Sequence, residues 1–322
     1  MPFFDKIFVR KQKEMITLKS NITMGLSIAF SWAWASSLVI GQSIAIQRGI
    51  VPFLIWAIAN TLTLALFGIL YRRGLFTDKI FKNKVFKTFA IVIQAFCLII
   101  NLNILNQIIS NYWITTAIGL FFILLMYRRG LFTSILTDKY QGIITFITLI
   151  ALIITGLVSK VEITSHPVNS DGGILWALWS ACILLTSPFG DIQMWQRAKV
   201  NDKGFWYATG FFGLYMFLIF VMSLFQFNGI MNGLLLIACL AVTTSTIDSI
   251  AVAMHEVSNK KRGTALAIFL CVFWGVFKEI GIVELWSTIG IYRVAFCAGV
   301  LICALKLKKG AERFEDTENQ TV

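Results

Sequence analysis

Four consecutive hydroxyl residues, Thr243, Thr244, Ser245 and Thr246, are followed by Asp248 and Ser249 inside the apolar run "AVTTSTIDSIAVAM". A hard cation such as sodium takes oxygen ligands, and hydroxyls beside carbonyls freed from a broken helix supply them. The plainer reading is hydroxyls bonded to carbonyls four residues back along a helix interface. Asp248 suits an ion or proton role, or pairing with a neighbouring helix. A second stretch, "LLTSPFGDIQMWQRA", sets Pro188 and Gly190 in another apolar run. Proline removes a backbone donor and crowds the preceding turn, so a helix break is expected there, with a simple kink as the alternative. Asp191 then caps the inner half-helix. A third stretch, "SWAWASSLVIG", carries Ser31, Ser36 and Ser37, small and polar enough to approach a ligand or to pack helices closely. Arg293, within a further apolar run, either pairs with Glu279 or Glu284 as an outer gate or snorkels to the interface.

The elements that carry these residues are set by composition. Of the 322 residues 57% are hydrophobic and 14% charged, and the mean hydropathy is +0.78, which leaves too little polar surface for a water-soluble domain. Apolar runs long enough to cross a ~30 Å hydrocarbon layer recur along the chain. Ten are read, near 22–47, 50–70, 87–108, 112–127, 141–159, 173–195, 204–227, 230–254, 264–282 and 285–305. The heptapeptide "YRRGLFT" occurs twice, starting at Tyr71 and Tyr127, with room for two crossings between the copies. Each reads as a membrane-edge signal, with Tyr at the headgroups, Arg at the anionic leaflet and Gly ending the helix. With the N-terminus in the cytoplasm, all 28 Lys and Arg except Arg48, Lys160, Lys278 and Arg293 fall on the cytoplasmic side. The net charge of +12 therefore follows from topology and needs no nucleic acid. Residues 1–20 read as a basic amphipathic segment on the membrane surface rather than a cleaved signal. The six cysteines sit in or beside apolar runs without a CxxC pair, so no disulfide framework or zinc site is indicated. Trp32, Trp34, Trp176, Trp179 and Trp195 are able to stack on a ligand, with packing and interfacial belts as the default. No HExxH or G-x-S-x-G pattern is present, and the buried titratable groups are too few for an intramembrane enzyme.

The spans divide into 21–159 and 172–306, with 307–322 as a cytoplasmic tail. Five spans per half is the arithmetic of an inverted-topology repeat, whose first helices are often interrupted at the ligand site. The expected fold is an all-α integral membrane domain of ten transmembrane helices in two inverted five-helix repeats, with broken first and sixth helices.

On "SWAWASSLVIGQSIAIQRGIVPFLIWAIAN", "GDIQMWQRA" and "STIDS", the chain resembles the sodium:solute symporter family, as a short, core-only member. The resemblance implies a leucine-transporter-type fold and alternating access. It also implies sodium held by the hydroxyls of Ser245 and Thr246 with backbone oxygens at Ala33, Ser36 and Val242. Substrate is then implied near Trp32, Ser36, Ser37, Thr186 and Ser187. From their own chemistry, Asp191, Asp248 and Arg293 read as coupling or gating residues and Pro188 and Gly190 as the helix break. The fifth span, "GIITFITLIALIITGLVS", has no acidic residue to support a sodium site. The resulting expectation is a plasma-membrane carrier, with both termini cytoplasmic, that couples a small polar organic solute to sodium. A proton-coupled or uncoupled carrier is the alternative, then a channel or scaffold. Ser, Thr and Trp suit an amino acid, a sugar, a nucleobase or a urea-like compound, and a homo-oligomer or partner subunit stays open.

Overall fold

A computed structural model describes residues 20–74 and 83–319, without the side chains of 35 and 303–319. Most of the basic N-terminal segment, the end of the first YRRGLFT copy and 320–322 lie outside the described residues. The described chain is helical, with one isolated antiparallel bridge between Ile163 and Phe225.

The helices are α1 (Asn21–Trp32), α2 (Ala35–Ser43), α3 (Ile50–Arg72), α4 (Lys84–Ile109), α5 (Tyr112–Val158), α6 (Gly173–Gly190), α7 (Ile192–Val200), α8 (Gly204–Ser223), α9 (Gly229–Ser258), α10 (Lys260–Phe273) and α11 (Ile282–Asn319). A π-helical turn, Ile44–Arg48, extends α2, and a 3-10 turn, Trp274–Phe277, extends α10. Seven of these helices are long and apolar enough to cross a bilayer, and Asn21–Trp32 with Ser36–Arg48 forms a further pair bent by 63°. This is a multi-pass membrane protein by length and composition. Large apolar side chains such as Trp113, Phe121, Ile147 and Leu157 face outward, as lipid requires.

Local chemistry starts and stops these helices. Asn83, Asn111, Asn228 and Asn259 each accept a backbone N–H at the helix start that follows, satisfying a donor that has no partner inside the helix. Gly130 (φ 70°, ψ −161°) divides α5 into two helices, in the second YRRGLFT copy, where its glycine was expected to end a span. At Gly49 (φ 109°) a Cβ would stand 2.6 Å from the Pro167 carbonyl oxygen. There the loop before α6 pairs with the start of α3 through Ile50 N to Pro167 O and Val51 N to Val168 O.

The helices pack in two groups. In one, α1 lies on α8, α3 on both α6 and α8; in the other, α9 lies on α4, α5 and α10. Helix α1 bridges the groups by packing also on α5, and α11 by packing on α6 and α4. Glycines permit the close crossings. A Cβ on Gly142 would meet Phe30 at 2.3 Å, and one on Gly290 would meet Ile183 at 2.5 Å.

Polar contacts mark one basic face. Asn201 Nδ2 donates to Asn21 Oδ1, Arg72 pairs with Asp202 and Lys199 with Glu256. His255 lies 6.3 Å from the Tyr127 ring, over which Lys260 sits at 4.8 Å. Both YRRGLFT copies thus reach the same face.

Candidate functional site

Helix α1 ends at Trp32 and α2 begins at Ala35. Between them Trp34 is extended (φ −76°, ψ 152°). The second interruption lies three residues beyond the expected proline. Helix α6 runs through Pro188 and Gly190 and stops at Asp191 (φ −98°, ψ 102°), after which α7 starts. Pro188 deprives the Leu184 carbonyl of its helical donor, and the Thr63 hydroxyl of α3 supplies one at 2.9 Å. The helix therefore survives its proline. Across the true break, Trp195 Nε1 donates to the Phe189 carbonyl at 2.9 Å.

Beside the first break lies a slot of about 20 Å³ lined by Trp32, Trp34, Ser36, Ser37, Ile40, Trp56, Asn60, Leu184, Trp286 and Arg293. That volume admits about one water. Of the residues expected at a solute site, Trp32, Ser36 and Ser37 line it. Trp32 Nε1 donates to Asn60 Oδ1 at 2.8 Å. Thr186 and Ser187 do not line it: Thr186 bonds back to the Cys182 and Ile183 carbonyls, and Ser187 to Ile183 O. Ser187 reaches the slot only through Arg293, whose Nη1 donates to its hydroxyl at 3.3 Å. A larger concavity of about 800 Å³, lined by Asn106, Tyr112 and Lys278 among others, contains none of the break residues.

Arg293 is buried rather than snorkelling, and its partners are not the expected glutamates. Its side chain is buried, stacks 4.7 Å from the Trp34 ring and donates to Cys97 Sγ at 3.1 Å. Glu284 is exposed, and Glu279 pairs with Lys278, so neither acid is its partner. Asp191 is also corrected. It occupies the N-cap position of α7 but makes no side-chain cap bond. Its two oxygens accept instead from Gln94 Nε2 at 2.8 Å and Gln193 Nε2 at 2.7 Å.

Toward the basic face, about 8–9 Å along α1 and α7 from the breaks, lies a second polar layer, of which the sequence reading named Ser245, Asp248 and Ser249 but missed the central pair. Asp138 on α5 and Arg197 on α7 are both fully buried and pair at 2.6 Å. Asp138 accepts from Ser27 at 2.6 Å, Ser245 at 2.6 Å and Ser249 at 3.3 Å. Arg197 donates to Ser27, the Gln193 carbonyl, Ser134, Asp138 and Ser249. Beside the pair, Asp248 accepts from Ser134 at 2.8 Å, Thr137 at 2.6 Å and Ser249 at 3.2 Å. Arg197 is therefore not a cation of the exposed face. The fifth span also carries an acid: its helix begins after Gly130, well before 141, and brings Asp138 into the core. Hydropathy had placed both residues in polar segments between spans, although "QGIITF" follows Asp138 within a few residues and "IQMWQ" leads directly into Arg197.

The residues named for sodium are brought partly together. Helix α9 packs on α1 and α2, yet the Ser245 hydroxyl donates to Asp138 and the Thr246 hydroxyl bonds back to the Val242 carbonyl at 3.0 Å. Among the described residues no three His, Cys, Asp or Glu side chains converge as a metal-binding group. The described transmembrane interior holds three buried carboxylates, Asp138, Asp191 and Asp248, against two buried guanidiniums, Arg197 and Arg293. Comparison with known proteins finds no matching family model and no matching curated protein.

Proposed function

We propose that this chain is a secondary active transporter that carries a small polar organic solute by alternating access, coupled to sodium. Counting the bent α1–α2 pair, the two halves of α5, the α6–α7 pair and α10 with its 3-10 turn as one span each supports a reading of ten spans in two inverted repeats. The observation that carries the reading is the pairing pattern under a shift of five spans. The α1–α8 contact exchanges with α3–α6, α1–α5 with α6–α11, and α2–α4 with α7–α9, and all six occur. The polar layers follow the same exchange. Asp138 on the fifth span bonds Ser27 on the first and Ser245 on the eighth; Arg293 on the tenth bonds Ser187 on the sixth and Cys97 on the third.

In this reading the chain is a sodium:solute symporter with its basic face in the cytoplasm. The Asp138–Arg197 layer closes the inner path and the Arg293–Trp34 contact the outer one, with the solute in the slot. Closing one path while the other opens requires the two helix groups to rock about the breaks. The odd buried carboxylate calls for one compensating cation, and sodium bound where the α1 break meets Ser245 and Thr246 provides it. A proton on Asp248 is the second reading, favoured by that residue's having hydroxyl donors alone as hydrogen-bond partners.

The test is the thermal stability of purified protein in detergent, with sodium titrated against potassium at constant ionic strength. Saturable stabilisation by sodium that Ser245→Ala/Thr246→Ala abolishes is the expected result. Equal curves for the two ions would remove sodium and leave the proton reading, to be followed by pH-jump uptake in liposomes.

A further inference from the structure

The slot is unequal in its hydrogen-bonding chemistry. Three buried N–H donors on its lining residues have no hydrogen-bond partner among the described residues: Trp34 Nε1, Trp56 Nε1 and Arg293 Nε. Indole and guanidinium are donors only, and a buried donor left unpaired costs free energy that a ligand acceptor recovers. The one carboxamide oxygen in the lining, Asn60 Oδ1, already accepts from Trp32. No carboxylate lines the slot. Asp191 stands at the α6 break, where both its oxygens are engaged by glutamines. Among the described residues, none lies within ion-pairing distance of Arg293.

We propose that the slot takes the carboxylate of a small organic acid, anchored by Arg293 and by the indole N–H groups of Trp34 and Trp56. A guanidinium meets a carboxylate with charge-assisted bonds, and the flat tryptophan faces suit an aliphatic or planar body. No carboxylate lines the slot to pair with an ammonium group, so a plain acid binds in preference to the corresponding amino acid. The slot in its present form is too small for such a ligand, and binding must part the Arg293–Trp34 contact. The assignment rests on the carrier reading for what the slot is used for, and on the donor set for what it binds.

The experiment measures thermal stabilisation of the purified full chain in detergent by propionate and benzoate, against propionamide, benzamide and alanine. Saturable stabilisation by the acids but not by the amides or alanine is expected. Trp34→Phe, which keeps a ring beneath the guanidinium and deletes the N–H, and Arg293→Gln should each weaken acid binding about tenfold or more. If Arg293→Gln does not fold, Trp34→Phe and Trp56→Phe carry the same test. Amides that stabilise as well as acids, acids indifferent to these substitutions, or no effect of either acid up to its solubility limit would overturn the assignment. Sodium titrated into the same samples separates the two questions. A sodium response without acid binding removes the acid and leaves the carrier, whereas acid binding without a sodium response keeps the acid and rejects sodium coupling.

Discussion

Replacing Arg197 by methionine should be the most damaging single change in the layer below the slot, and its rescue should have an unusual sign. Arg197 is fully buried and gives five hydrogen bonds, one of them to the carboxylate of Asp138. Methionine fills much of the same volume but leaves Asp138 and Asp248, bridged by Ser249, without a cation between them. Removing one partner of a buried pair costs about 3–5 kcal/mol, and the second carboxylate places this case at the upper end, about 5 kcal/mol. Asp138→Asn alone should cost less, about 1–3 kcal/mol, because Asp248 shares Ser134 and Ser249 with Arg197 and its charge stands in. In the Arg197→Met background the same Asp138→Asn change removes one of two opposed carboxylates and should restore at least about 2 kcal/mol. Unfolding by SDS in mixed micelles, followed by tryptophan fluorescence, gives the four corners of this cycle. If Asp138→Asn destabilises by the same amount in both backgrounds, the two side chains are not coupled and the electrostatic account of the layer is wrong.

Two further expectations concern packing and the surface. At Gly263 an added Cβ would lie 2.4 Å from the Met254 carbonyl oxygen, a backbone atom with no freedom to move aside, whereas nothing stands within 4 Å of one at Gly210. In the same unfolding assay Gly263→Ala should lose about 1–3 kcal/mol and Gly210→Ala should gain up to about 1 kcal/mol; a loss at both would mean that helix α8 needs its glycine for another reason. The Arg72–Asp202 pair is 44% and 31% exposed. Arg72→Ala should therefore shift stability by less than about 1 kcal/mol, and a larger loss would show that the pair pins the basic face.

By itself the sequence determined the medium and most of the helix limits. Hydropathy is a sum over neighbours along the chain, so apolar runs announce helices that lipid must surround. Asn and Gly at their ends announce where backbone groups need a cap or a positive φ. Ser36 and Ser37 were legible as small polar side chains able to approach a ligand, while Trp32 entered only through the family resemblance. What only the tertiary structure decided is which charges are inside. Asp138 and Arg197 sit near the ends of their apolar runs, where a window average cannot separate a residue facing water from one facing a neighbouring helix. Their burial depends on Ser27, Ser245 and Ser249 arriving from two other stretches of chain, with Ser134 one turn before Asp138. The break at Asp191 rather than at Pro188 was settled in the same way. A proline defect is local, but the hydroxyl of Thr63 that repairs it comes from another helix, and a hydrogen bond between distant segments exists only once packing has brought donor and acceptor together.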